Sequence, residues 1–220
     1  MQICIADFSQ LTHAQWMFYD CTSLREIDLQ NAPLTNASET FYNCFNLRKI
    51  NGLDVTKVTN AYSMLQNCYS LTGKIVLNLE SCTNIGNLIQ GCYKVEEIDI
   101  NLPILTGMLQ YSFRGLTSLK KAIVNIPNIQ IHRWPFYGSD NIEELYIKGL
   151  RVDMELSSKT KLTVSSIKYM CDNCLTRDDG ASYTLTLNSE VKTAFLAKCD
   201  EDAEYAASLA AANAKGLSIA

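Results

Sequence analysis

Nine cysteines in a chain of 220 residues are the groups best suited to chemistry, and their spacing raises specific options. Cys171 and Cys174 form a Cys-x-x-Cys pair, the spacing of a redox dithiol or of half a zinc site. A zinc site wants four ligands. Cys199 supplies a third thiolate only if the final helices pack together, and the two histidines, His13 and His132, are far away in sequence. A redox pair sits at the start of a helix that follows a strand. This one falls late in a predicted helix with both thiols on its apolar face, so packing is the expected role. A Cys–His catalytic pair has no supporting spacing, and no GxSxG, HExxH or glycine-rich phosphate loop occurs. Asp178-Asp179-Gly180 lacks the alternating acidic ligands of a calcium loop and reads as a turn. Asn36-Ala37-Ser38 matches a glycosylation sequon, but its asparagine is placed to cap a short helical turn. No catalytic residue, metal ligand or cofactor is expected.

The remaining cysteines belong to a pattern. The phrases FYDCTSLREIDL, FYNCFNLRKING, LQNCYSLTGKIVL and IQGCYKVEEIDI, then FRGLTSLKKAIV and FYGSDNIEELYI, recur every 23 or 24 residues. Their shared slot holds Cys21, Cys44, Cys68, Cys92, Leu116 and Ser139. A period of this length marks a solenoid, in which each unit buries its apolar side only against its neighbours. The cysteines then form an interior column of reduced thiols packed as small hydrophobes, which suits a reducing compartment or protective burial. After the slot come apolar positions such as Leu24, Ile27 and Leu29, or Val95, Ile98 and Ile100, whose last two alternate with a polar residue as in a half-buried strand. Gly73 adds one residue before Ile75, the mark of a bulge. Three residues before the slot stand Phe18, Phe41, Leu65, Ile89, Phe113 and Phe136. Asn36 with Glu39 has capping-box form. Each unit therefore reads as turn, short helix, strand, with the strands stacked in a parallel sheet. Glu96-Glu97, Lys120-Lys121 and Glu143-Glu144 share one phase, so stacking pairs acid with base.

The phrase FxxCxxLxxIxL behind Thr-Asn-Ala, carried by Phe41, Cys44, Leu47 and Ile50 after Thr35-Asn36-Ala37, resembles the BspA-like leucine-rich repeats of bacterial and protozoan surface proteins. The resemblance covers roughly residues 8–150. It implies an α/β solenoid, a right-handed leucine-rich-repeat coil with a parallel β-sheet. It also implies a binding protein that presents a repetitive surface, with no fixed active site. The fifth and sixth units lose the cysteine and carry Pro127 and Pro135, so irregular stacking is expected around 125–137. Residues 151–220 read as a small α+β cap after the 1–150 solenoid. Leu150, Val152, Met154 and Leu156 suggest a strand; then come a helix capped by Thr163, a strand at Tyr183–Leu187, a helix with Val191, Phe195 and Cys199, an alanine-rich helix begun at Asp200 or Asp202 and stopped by Gly216, and an edge strand. This tail is similar to the end module found after such repeats in proteins of gut bacteria and their phages. Its expected task is to cover the open end of the solenoid.

A formal charge of −4 and the lack of a basic stripe argue against a nucleic-acid partner. No apolar run is long enough to span a bilayer. The opening MQICIADFSQ has no secretion-signal pattern, so either export does not use that route or the chain starts downstream of a signal. Phe45, Tyr69 and Tyr93 follow the slot in three consecutive units, while Tyr19, Tyr42 and Tyr137 precede it by two residues. Stacked in register they would form aromatic ladders fit for a protein or carbohydrate ligand, or else pack the junctions between elements. The expectation is a non-enzymatic recognition or adhesion scaffold on a bacterial cell surface or in a phage tail. The alternative is a structural assembly subunit that docks other subunits through its N-terminal end, where no matching cap is seen.

Overall fold

The computed structural model describes residues 3–4, 7–107, 109–129 and 134–220. Seven strands mark successive coils: β1 (Ile3–Cys4), β2 (Glu26–Asp28), β3 (Lys49–Asn51), β4 (Gly73–Asn78), β5 (Val95–Asn101), β6 (Lys121–Asn125) and β7 (Glu144–Lys148). They are followed by β8 (Met154–Leu156), α1 (Val164–Asn173), β9 (Tyr183–Leu187), α2 (Ser189–Glu201), α3 (Ala203–Ala214) and β10 (Leu217–Ile219). All paired strands are parallel, and coil stacks on coil in register: Ile27 faces Ile50, and Ile75, Ile98, Ala122 and Leu145 form one line. Glu97, Lys121 and Glu144 also align, and Lys121 Nζ lies 2.6 Å from Glu144 Oε2. This is the charge register expected from the repeats.

The sheet is split between the second and third repeat copies, that is between β3 and β4. β1–β2–β3 form one sheet and β4–β5–β6–β7 another. A glycine accounts for the end of β3. Where other copies carry a buried Leu29, Leu77 or Ile100, the second has Gly52 at φ +62°, and a Cβ there would stand 2.7 Å from the Gln30 Cα. The strand therefore turns away after Asn51. A bulge does fall where the third copy is irregular, between Gly73 and Lys74. Gly73 faces Val95 and Lys74 faces Glu97, however, so the unpaired residue is Glu96 on β5 and not the residue added before Ile75.

The side opposite the sheet carries no helix among the described residues. The expected helical segments are ribbons of turns. Trp16, Glu39, Ser63, Asn87, Tyr111 and Trp134, and four residues later Asp20, Asn43, Asn67, Gly91, Gly115 and Gly138, all have φ between 39° and 77°. A left-handed residue every fourth position forbids a right-handed helix. It also redirects alternate amides. Ala37, Glu39, Phe41 and Asn43 donate to carbonyls of Asn60, Tyr62, Met64 and Gln66 one coil on, while Thr40, Tyr42 and Cys44 close turns within the coil. Asn36 accepts from the Ser38 amide at 3.0 Å, so it makes an Asx turn instead of a capping box with Glu39.

The slot column shows why phenylalanine and cysteine recur together. The Cys44 thiol donates to the carbonyl of Phe18 (3.0 Å), Cys68 to Phe41 (3.1 Å) and Cys92 to Leu65 (3.1 Å). Ser139 repeats the bond to Phe113 with its hydroxyl at 2.8 Å, so the serine copy keeps the function of the slot. These thiols are free and buried.

Beyond β7 the chain keeps the coil's bonding pattern but changes element. Thr163 N–H donates to Glu143 O and Gly149 N–H to Asn173 O, which sets α1 where a further strand would lie. The Ser166 hydroxyl then accepts from the Leu145 amide at 3.0 Å, satisfying the β7 edge. Thr163 caps α1, Asp202 caps α3, and Gly216 at φ +91° precedes β10. The last sheet runs β10–β9–β8. The irregularity expected at 125–137 falls partly on residues 130–133, outside the described residues; β6 and β7 beside it pair regularly.

Gly149 tests the tightness of this end. At φ +85°, a Cβ there would stand 2.5 Å from Pro127 Cα and 2.8 Å from Pro127 N. Gly149→Ala is expected to destabilise by about 2–3 kcal/mol, from strain and backbone displacement together. Urea unfolding checks this, and an unchanged midpoint would refute the close approach.

Candidate functional site

The candidate aromatics lie on the turn ribbon, Tyr19, Tyr93 and Tyr137 exposed and Tyr42, Phe45 and Tyr69 half-buried, and the one-coil spacing positions them. Phe45 and Tyr69 stack with ring centroids 4.9 Å apart and 5° between planes; Tyr69 and Tyr93 follow at 5.0 Å and 22°. Tyr19 and Tyr42 stack at 4.9 Å and 9°. Tyr137 shares their phase, but Gln66, Gln90 and Arg114 occupy the coils between, so it stands apart from that pair. It belongs to a third cluster with Tyr111, Arg114 and Trp134, which enclose a cleft of about 330 Å³. The Arg114 guanidinium lies 5.2 Å from the Tyr111 ring centroid and 5.3 Å from that of Tyr137. Trp134 is tilted against Tyr111 at 6.2 Å.

Sequence reading missed this cluster and Trp16, which is 58% exposed. The signal was present, since Trp16, Tyr111 and Trp134 all fall five residues before the slot. What was not legible is that this position is left-handed, which takes it out of the packed helix expected there.

Ring geometry limits what each cluster can do. In a face-to-face stack the ring faces cover one another, so the Phe45–Tyr69–Tyr93 ladder presents edges and phenol groups. Its outer member Tyr93 is 44% exposed. Burial, with Tyr93 alongside, raises the Tyr69 phenol above its ordinary value of 10.0, so Tyr69 stays neutral at physiological pH. Trp134 and Tyr137, at 55% and 60% exposure, leave aromatic area open around a cation.

The other candidates fall differently. Cys171 and Cys174 are buried, and the Cys174 thiol donates to the Cys171 carbonyl at 3.1 Å. Burial, then the neighbouring Cys174, pushes the Cys171 thiol up to about 12. Cys199 is half-buried, and burial followed by Asp200 and Asp202 raises it as well. Reactive cysteines need the opposite, an accessible site that favours thiolate. Among the described residues no group of three or more His, Cys, Asp or Glu is arranged to hold a metal ion. His13 is exposed, 3.0 Å from the Thr12 hydroxyl, and His132 lies outside the described residues. Asp178 pairs with Arg151 and Asp179 with Arg177, each at 2.8 Å, in a turn closed by Gly180 N–H to Arg177 O. No helix among the described residues is long and apolar enough to cross a membrane.

The family model for the BspA type leucine rich repeat region matches six copies, over residues 14–104 and 63–153. No curated protein and no solved structure matches the chain.

Proposed function

This chain belongs to the BspA-type leucine-rich repeat family, and from that premise we propose that it is a non-catalytic adhesion scaffold whose aromatic turn ribbon contacts a protein ligand. The observation that carries this reading is the registered ladder Phe45–Tyr69–Tyr93. Its rings are held by the stack, so little side-chain entropy remains to be lost on contact, and its edges and phenols suit a protein surface. The setting we assign is a bacterial surface or a phage virion. Burial holds the column thiols protonated and so protects them from oxidation in such a setting.

The test is capture from bacterial cell envelopes by immobilised protein. Tyr69→Ala combined with Tyr93→Ala is expected to reduce retention of the captured ligand by about tenfold or more, since central aromatics dominate such contacts. Circular dichroism should remain that of the parent. Undiminished capture would remove the ladder from the interface.

One observation favours a second reading, a glycan ligand. The cleft of Tyr111, Arg114, Trp134 and Tyr137 combines open aromatic area with a guanidinium. A glycan array probed with the parent and with Trp134→Ala separates the two: sugar binding lost with Trp134 and kept without Tyr69 and Tyr93 selects the glycan.

A further inference from the structure

We propose that the split between β3 and β4 is a docking cleft for an extended acidic peptide segment of another protein, which enters as an additional strand. The two strands leave a cleft of about 610 Å³ whose lining includes Lys49, Ile50, Leu53, Leu71, Lys74 and Val76. On the turn side the same two coils stay tied by the amides of Ala37, Glu39, Phe41 and Asn43, so the opening is a wedge within one solenoid.

Backbone polarity points to a strand as the occupant. Asn51 O accepts from Leu29 N–H, so Asn51 faces β2 and the alternate residue Ile50 turns its amide and carbonyl into the cleft. Leu79 N–H donates to Asn101 O, which by the same alternation turns Val76 and Asn78 of β4 toward the cleft. Unpaired edges of this kind are templates for β-augmentation, where main-chain bonds supply affinity and alternate side chains supply specificity.

The side chains say which strand. In the core line, Ile27 and Ile98 are each 1% exposed, whereas Ile50 and Ile75, on either side of the split, are only partly buried. An apolar residue pointing inward between them would complete the core. On the outer face one register line runs Glu26, Lys49, Lys74, Glu97, Lys121, Glu144. Every paired neighbour in it is of opposite charge, and the alternation fails only across the split, where Lys49 and Lys74 occupy successive positions of the line, the Lys74 ammonium lying 3.6 Å from Asp99 on β5. A carboxylate entering between them restores the alternation along the whole line. The fitting segment therefore alternates acidic and β-branched residues. This site is separate from the aromatic ribbon, and neither depends on the other.

The probe is a fluorescein-labelled peptide Thr-Glu-Ile-Glu-Val-Thr, followed by fluorescence anisotropy with the full chain. Saturable binding is expected, with slowed amide exchange at Ile50 and Val76. Replacing both glutamates by lysine, or methylating alternate peptide amides, should weaken it about tenfold, the scale of one or two lost charge pairs or hydrogen bonds. Lys49→Glu with Lys74→Glu, both at exposed positions, should reverse the preference toward the lysine peptide. The Tyr69→Ala, Tyr93→Ala variant should bind the peptide as the parent does. Absence of binding, or binding indifferent to charge and to amide methylation, overturns the proposal. Self-association abolished by the lysine reversals would make a second copy of the chain the occupant, and overturns it equally.

Discussion

Above about pH 9 the folded chain is expected to lose stability steeply, because its buried thiols keep their protons long after an unfolded chain would release them. From an ordinary value of 9.0, burial pushes Cys44, with Cys21 beside it, and Cys92 up to about 12. Burial raises Cys68 well above 9.0, reinforced by Cys92 and Cys44. Between those limits the unfolded state binds fewer protons than the folded one, so unfolding free energy falls as pH rises. The contribution is whole below about 9 and is lost progressively up to about 12. Each such thiol steepens the fall by about 1.4 kcal/mol per pH unit, and several acting together are comparable with the whole stability of a domain. Urea unfolding across this range gives the slope, and Cys92→Ala isolates one thiol from the tyrosines that titrate nearby. A slope identical in parent and variant would show that the column is not the cause.

Phe41→Ala is expected to cost about 3–5 kcal/mol, the range for deleting a fully buried aromatic ring whose neighbours cannot collapse. Phe41 is 0% exposed and stacks on Phe18 at 5.4 Å with 3° between the rings. Its backbone is held at both groups: the amide donates to Met64 O, and the carbonyl accepts the Cys68 thiol. Because each coil touches only its neighbours, the damage should centre on the first three coils. The two tryptophans report on this directly, Trp16 in the first unit and Trp134 in the last. The urea midpoint read from Trp16 should drop further than that read from Trp134. A loss under about 1 kcal/mol would mean the ring stack is not what holds these coils together.

Much of the fold was legible because a solenoid repeats its physics as well as its residues. The slot residues Cys44, Cys68 and Cys92 stack as the period required, and the acid–base line Glu97–Lys121–Glu144 fixes the register. The order of elements after β8 follows from helical spacing and from the caps Thr163 and Asp202. The helical segments expected within each unit did not form. Asn36 and Glu39 satisfy a capping pattern locally, yet Glu39 sits at φ +53° and donates its amide to Tyr62 in the next coil. Local propensity cannot weigh a bond whose partner arrives only when the following coil is in place. The candidate site divides the same way: the ladder Phe45–Tyr69–Tyr93 was readable from period alone, while Tyr137 left its supposed partners for Arg114 and Trp134.

The sequence by itself therefore determined the coil, its register, its buried column and the rings that stack along it, since all of these follow from spacing between like residues. Only the tertiary structure decided where the sheet opens, which aromatic groups form a cleft, and that the ribbon is built from turns. Those outcomes depend on a single glycine's φ and on hydrogen bonds to residues more than twenty positions away. Such long-range terms compete with local preference at similar magnitude, and the balance is settled only when the coils are stacked.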